Sequence, residues 1–375
     1  MNESKLIYVT YQTFPSEKAN TIQTIENLKY LSRNNLKVTL IYPLREESSS
    51  NNTKVLKSYY NIDEDIKFLG TPHNLPFGKY KIFNKFTFLL SHYLWSKKTS
   101  TKILSDYSND NFYFTRSEWI FYFLSKNNYN IIFECHQLSK IRKYLIKKSI
   151  KFKLSKIVFL NNKLLKNSGI DEERFNEKMT VLQNGVDFHL FKEEVIKKKN
   201  KIIFAGNLER FGAKRDLNWI IDAFDSEEIN NKYTLKIISG THELNNELKS
   251  YINDKNLETC IFVEPRKNRE EIINEIQNSE IGILFNSSQN EHSIKYTSPL
   301  KYFEYLYGEL KILAVDYPAH RDLPFSENIS YFEENDTNSF LYSLIKTQNI
   351  QPIKKVDLES ISLDFRAKKI IKFFK

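Results

Sequence analysis

At 375 residues, with 41% hydrophobic content, nine glycines and nine prolines, the chain suits two α/β domains and excludes a fibrous or low-complexity protein. Its net charge of +10 is unevenly placed: residues 1–200 carry 33 Lys/Arg against 19 Asp/Glu, residues 201–350 carry 16 against 24, and the last 25 carry 7 against 3. A basic front half beside an acidic back half implies separate bodies with separate partners; either solvated lysine faces or attraction to anionic lipid explains the excess, and no recognition motif accompanies it to suggest nucleic acid.

The first apolar run, KLIYVTY (5–11), leads straight into polar sequence, unlike a secretory signal, and reads as a buried strand. A helix is expected over Thr21–Asn34, with Ile22, Ile25, Leu28 and Leu31 at helical spacing. Strands are expected at LKVTLIYP (36–43), NFYFTR (111–116), NIIFECH (130–136) and KIVFLN (156–161). After the charged stretch KEEVIKKKN (192–200) the plan repeats. KIIFAGNL (201–208), YTLKIISG (233–240), CIFVEP (260–265), IGILFN (281–286) and KILAVD (311–316) read as strands. Between them fall helices at Leu217–Phe224, Leu244–Lys255, Arg269–Asn278 and Pro299–Tyr307. Strand and helix in alternation imply parallel pairing by right-handed crossovers. The predicted domains are 1–195 and 200–355, with a C-terminal helix (358–375) free to pack on either, presenting Phe365, Ile370, Ile371 and Phe374 on one face.

Two cysteines, Cys135 and Cys260, cannot build a disulfide framework and show no metal-ligand spacing; they read as core thiols in a reducing compartment. No apolar stretch approaches the roughly 18–20 residues needed to span a bilayer. The expectation is a cytoplasmic protein, at most peripheral on the inner face of the cell membrane. KYKIFNKFTFLLSHYLWSKK (79–98) is the candidate for such contact, since it mixes aromatic, aliphatic and lysine residues; a helix packed in the first domain explains it equally well.

The segment YTSPLKYFEYLYGELKILAVD (296–316) is the most informative. Ser298 reads as an N-cap and Pro299 as the first helical residue. The free N–H groups of Leu300 and Lys301 then favour an anion at the helix start, and Glu304 faces the same side, where a carboxylate accepts from both hydroxyls of a ribose. A well-capped helix with nothing bound fits the local pattern too.

This stretch resembles the nucleotide-sugar motif of the retaining glycosyltransferases of family 4, in the variant S-P-L-K-x-F-E-Y. The resemblance runs the length of the chain: FPSEKANTIQTIENLKYL at the front, YFTRSEW (113–119), IFECHQ (132–137), VLQNGVDFHLF (181–191), IIFAGNL (202–208) and DYPAHRDL (316–323), in the family's order. It implies a GT-B fold, two Rossmann-like doubly wound α/β domains facing a central cleft. It also implies transfer of a sugar from a nucleotide-sugar donor to a glycan or lipid-linked acceptor, with retention, in bacterial surface-polysaccharide or glycoconjugate synthesis. Glu304 corresponds to the second glutamate of the family's E-x7-E motif, a ribose contact, and Thr297, Ser298, Pro299, Leu300 and Lys301 to its pyrophosphate turn. Gly206 matches the glycine turn after the first strand of the second domain, and Asn207 follows it where the family often has an arginine. Lys214 is the match for the lysine that neutralises the donor phosphates, with Arg210 and Arg215 as rivals. His136 matches the histidine near the transferred sugar, with Glu134 two residues earlier. The acceptor is expected near Ser16–Thr21 and His136.

One departure bears on the sugar contact. Tyr296 stands where the first glutamate of the motif belongs, so the sugar contact must differ or come from elsewhere, such as Glu291. No D-x-D metal motif is present, Asp63-Glu64-Asp65 reading as a solvated loop; cations and helix-start N–H groups are expected to carry the leaving diphosphate without a metal or other cofactor. The rival readings are a catalytically silent partner in a polysaccharide assembly complex and an epimerase acting on the nucleotide sugar itself.

Overall fold

The computed structural model describes residues 5–73, 84–193, 195–210, 213–240 and 242–375. They form two compact units, one running to Leu182 and completed by Leu363–Lys375, the other Gln183–Ser362.

In the first unit seven parallel strands form one sheet: β1 (Lys5–Val9), β2 (Lys37–Leu44), β3 (Ile66–Pro72), β4 (Phe112–Thr115), β5 (Asn130–Cys135), β6 (Ser155–Phe159) and β7 (Met179–Val181), in the order 3-2-1-4-5-6-7. Helices cover both faces, so the inner strands read as unbroken apolar runs such as LIYV and IIF. β3 and β7 were not expected. IKFLGTP carries a glycine and ends in proline, both strand breakers in sequence, and the sheet tolerates them because β3 is an edge.

The second unit repeats the scheme with β8 (Lys201–Ala205), a small antiparallel ladder of β9 (Glu209–Arg210) and β10 (Ala213–Lys214), then β11 (Thr234–Ser239), β12 (Ile261–Pro265), β13 (Ile281–Leu284), β14 (Lys311–Val315) and β15 (Ile329–Phe332). Its main sheet is six parallel strands in the order 12-11-8-13-14-15. Both sheets thus start in the middle, grow to one side, and return to grow on the other, the Rossmann order.

The units divide at residue 183, earlier than the charged stretch at 192–200. Asn184 is bonded to Ser298, and Val186, Phe188, Leu190 and Phe191 join the core of the second unit, with Phe188 stacked on Tyr307 at 3.7 Å. The charge run marks solvent exposure, not the boundary. The chain returns to the first unit at its C-terminal helix, Leu363–Phe374, which lies against the helix Ala19–Arg33. The face it buries is Leu363, Arg366, Ala367, Ile370 and Phe374; Phe365 and Ile371 sit at its rim, which corrects the expected face by substituting an arginine for an aromatic. Phe374 stacks on Phe112 at 4.7 Å, and Lys156 Nζ donates to the Phe373 carbonyl at 2.5 Å.

No helix among the described residues is long and apolar enough to cross a membrane. Of the segment 79–98, residues 79–83 lie outside the described residues. The rest belongs to the helix Asn84–Asp106, which buries Ser91, His92, Trp95 and Ser96 and leaves Phe86, Leu90 and Leu94 exposed at four-residue spacing.

Candidate functional site

Parallel sheets of this kind accept ligands outside the carboxyl ends of their strands, where the strand order reverses. In the second unit that point lies between β8 and β13. Gly206 and Asn207 follow β8, and Asn286 follows β13. A Cβ at Gly206 would stand 2.9 Å from Arg215 Nη1, so the glycine gives the guanidinium its room. Arg215 Nη1 donates to the Asn207 carbonyl at 3.0 Å and Nη2 to Asn286 Oδ1 at 2.6 Å, bridging both sides of the switch point. Lys214 turns elsewhere. Its Nζ pairs with Glu247 at 3.1 Å, and both side chains are about two-thirds exposed. Arg210 lies on the β9 strand of the small ladder, with its side chain outside the described residues, as are Phe211 and Gly212.

The helix Leu300–Tyr307 is seated by a close approach. A Cβ at Gly282 in β13 would fall 2.6 Å from Tyr305 Cδ2, so only glycine admits the ring there. Tyr305 is fully buried and its hydroxyl accepts from the Ala205 N–H at 3.2 Å. The N-cap is Pro299, with no side-chain cap, which corrects the expected start at Ser298. The reason is competition: Ser298 Oγ accepts from the Asn184 N–H at 3.1 Å, and Asn184 Nδ2 donates to the Ser298 carbonyl, so the turn at 184–187 has taken the serine that would have capped the helix. Thr297 is buried, donating to the Ser293 carbonyl at 3.3 Å. The positive end of the helix, with the N–H groups of Leu300 and Lys301, keeps no side-chain cap.

Glu304 is 1% exposed and clamped by two cations. Arg269 Nη1 donates to one carboxylate oxygen and Lys301 Nζ to the other, the latter at 2.7 Å. Burial alone would raise the Glu304 carboxyl, and the charges of Arg269 and Lys301 outweigh it, holding the group below its ordinary value. Burial, helped by Arg269 and Arg266, lowers the Lys301 ammonium against the pull of Glu304. Arg269 opens the helix Arg269–Gln277, where the dipole disfavours a cation, so it needs this carboxylate. That misplaced charge was the one sequence signal that could have found it. Tyr296 is buried, and Glu291 is two-thirds exposed on Lys295 at 3.0 Å.

In the first unit the switch point lies between β1 and β4. Here the carboxylate is Glu134, at the end of β5, again 1% exposed. Its Oε2 accepts from Arg116 Nε at 2.5 Å and from His136 Nε2 at 2.7 Å, and its Oε1 from Arg366 Nη2. Arg366 Nη1 donates to Asn27 Oδ1 at 3.0 Å, and Arg116 Nη1 to the Asn20 carbonyl at 3.1 Å. Arg116 therefore links the first turn of the helix Ala19–Arg33 to the carboxylate that His136 shares, joining the two places expected to receive an acceptor. Burial raises Glu134, but Arg116, Arg366 and His136 bring it well below the usual carboxylate range. Burial and the charge of Arg116 lower His136 to about 4. The ring is then neutral at pH 7. An ionised carboxylate only accepts, so the proton must sit on Nε2, which leaves Nδ1 with the lone pair. Arg366 was missed because it stands on the apolar stripe of its helix, where a cation signals a buried partner that sequence alone cannot name.

No family model matches the chain and no curated protein matches it. Solved structures do. A glycosyltransferase from Rickettsia africae is 17% identical, covering all of this chain and 98% of its own, at a TM-score of 0.69. Sucrose-phosphate synthase from Thermosynechococcus elongatus is 9% identical over 99% of this chain and 98% of its own, at 0.70. Anabaena HepE, solved with UDP, is 9% identical over 98% of both chains, at 0.64. This is the GT-B fold. At such identities the likeness speaks for the architecture: two Rossmann-like units, spanned from end to end by each comparison. Within the GT-B fold, Arg215, Glu304, Arg269, Lys301 and the helix start at Leu300 belong to the second unit, while Glu134, His136, Arg116 and Arg366 belong to the first.

Proposed function

We propose that the chain is a glycosyltransferase that binds a nucleotide-sugar donor in its second unit and transfers the sugar to a glycan or lipid-linked acceptor held by its first. The observation that carries this reading is the cationic rim of the second unit: Arg215 across the switch point, Arg269 and Lys301 on Glu304, and an uncapped helix start. A diphosphate is the ligand such a rim fits, since each charge-assisted hydrogen bond contributes about 1.5–3 kcal/mol when well placed. The same donors would stabilise the departing diphosphate as the anomeric bond breaks, an electrostatic role that in this reading needs no metal. The likeness to a structure solved with UDP supports a nucleotide there.

In this reading Arg215 takes the phosphate role that sequence assigned first to Lys214. Glu304 holds two cations and keeps its remaining lone pairs for a ribose. His136 offers its Nδ1 as an acceptor to a sugar hydroxyl near the reacting carbon. Retention at that carbon, and a place in glycoconjugate synthesis, follow from the motif resemblance. A lipid-linked acceptor is supported by the exposed Phe86, Leu90 and Leu94 beside Lys97 and Lys98, which would bring the first unit to an anionic membrane surface.

A second reading has its own observation. Tyr296 replaces a motif carboxylate and is buried, which favours a silent partner that binds nucleotide without turnover.

Thermal unfolding against UDP, GDP, ADP and CMP sugars tests both, on the native chain and on Glu304→Ala and Arg215→Ala. One nucleotide at about 100 times its dissociation constant should add roughly 2.7 kcal/mol, a shift of a few degrees, and each variant should lose about half of it or more. No shift with any nucleotide refutes a donor site in the second unit. A shift with no release of sugar in the presence of glycan or polyprenyl acceptors moves the silent partner to the front.

A further inference from the structure

The C-terminal helix Leu363–Phe374 does more than close a hydrophobic face. Its Arg366 is 2% exposed and reaches Glu134 across 232 positions, whereas Arg116 and His136 lie 18 and 2 positions away. Arg116, following β4, holds Oε2; Arg366 holds Oε1; Asn27, on the helix Ala19–Arg33, fixes the second Arg366 nitrogen at 3.0 Å. Each of the two carboxylate oxygens is thus anchored by a guanidinium, and the carboxylate cannot rotate away from the ring that shares Oε2. That ring is His136, whose side chain is about a quarter exposed while Glu134 is sealed.

We infer that Arg366 is a positioning residue for His136: by holding Glu134 ionised and in one orientation, it fixes the imidazole with N–H on Nε2 and the lone pair on Nδ1. On the reading of the first unit as the acceptor side of a glycosyltransferase, this decides that His136 meets its substrate as a hydrogen-bond acceptor. Three groups face the ring: Arg116 after β4, Glu134 in β5 and Arg366 on the C-terminal helix. Tyr8 in β1 faces Arg116 and Glu134 behind them. Glu134 draws the proton to Nε2, and the two arginines oppose a second proton on the ring. Burial acts in the same direction, which agrees with a ring neutral down to about pH 4. Removing Arg366 takes away one of the two positive charges and one of the two anchors.

The test needs no substrate. Long-range nitrogen–proton NMR of the full chain, with labelled histidine and His136 assigned through His136→Gln, reads tautomer and titration together. The native chain should show His136 in the Nε2–H form at pH 7, without protonation above pH 5. Arg366→Met should give a mixture of tautomers or raise the titration midpoint by about one pH unit or more, a tenfold change in proton affinity. Arg366→Lys, which restores charge without the second anchor, should bring the midpoint back but not the single tautomer. Should Arg366→Met fail to fold, Asn27→Ala loosens the same guanidinium while its charge stays, and should broaden the tautomer distribution alone. If a folded Arg366→Met or Asn27→Ala chain keeps the native tautomer and titration, the inference is wrong and Arg366 is a structural ion pair only. The nucleotide titration reads the other unit, so the donor assignment and this inference fail or stand separately.

Discussion

The two units each bury one carboxylate at 1% exposure and surround it with cations, yet they do opposite things with it. Around Glu134 the arginine side chains are themselves sealed, 9% and 3% exposed, and the only group that opens outward is a neutral imidazole. Around Glu304 the cations are the open part: Arg269 and Lys301 are 35% and 27% exposed. In the first unit the charges serve to orient a ring. In the second the carboxylate serves to hold charges toward solvent. A buried acid therefore says little by itself; the exposure of its partners tells which group faces the ligand.

The largest expected effect breaks this contrast at its sealed end. Glu134→Gln leaves Arg116 and Arg366 as buried, poorly compensated charges, a loss of about 3–5 kcal/mol measurable by urea unfolding. Glu304→Gln should cost less, about 1–2 kcal/mol, because water reaches both its partners. Equal losses would erase the distinction.

Acid comes next. Burial lowers His73, His92 and His136 to about 4 in the folded chain, against an unfolded value near 6.5. Below pH 6.5 the unfolded chain therefore binds the extra protons, and stability falls as pH drops from 6.5 towards 4, by up to about 1.4 kcal/mol per pH unit for each group. Glu134, held low by its partners, adds a further loss as pH falls below the unfolded carboxylate value of about 4.3 towards its lower folded value. Unfolding midpoints at pH 7.5, 6 and 5 check the slope, and His136→Gln should remove about a third of it.

The smaller effects sharpen the open end. Arg215→Ala should weaken nucleotide binding about 10- to 100-fold by calorimetry, the worth of its charge-assisted contacts. Lys214→Ala should change affinity less than twofold and stability by less than about 0.5 kcal/mol, since its exposed pair with Glu247 contributes little. The reverse ranking would return the phosphate role to Lys214.

Much of the architecture was legible because parallel strands buried on both faces leave plain apolar runs: ten of the strands announced themselves, among them KIIFA and KILAV. β3 hid behind a glycine and a proline, β7 has only three residues, and a serine breaks the apolar run of β15, ISYF. The site was legible where chemistry is local. His136 and Glu134 are two residues apart, and Lys301 and Glu304 three. It was not legible where a partner comes from another element. Arg269 reaches Glu304 across 35 positions and Arg366 reaches Glu134 across 232, and nothing in either segment names the other end. The choice between Lys214 and Arg215 hung on one residue of register in the short strand before Arg215, where neighbouring side chains point to opposite sides.

The return of the chain at Leu363 bears on how the protein is made. Domains usually fold as they leave the ribosome, first part first. Here the first unit is interrupted by all of residues 183–362, and until Leu363–Phe374 has been synthesised its face of Leu28, Phe114 and Ile132 lacks Ala367, Ile370 and Phe374, while Glu134 has one arginine in place of two. The second unit can complete itself before the first. A nascent chain would thus pass through a stage with a finished second unit beside an unfinished first, exposing apolar surface that a chaperone could hold.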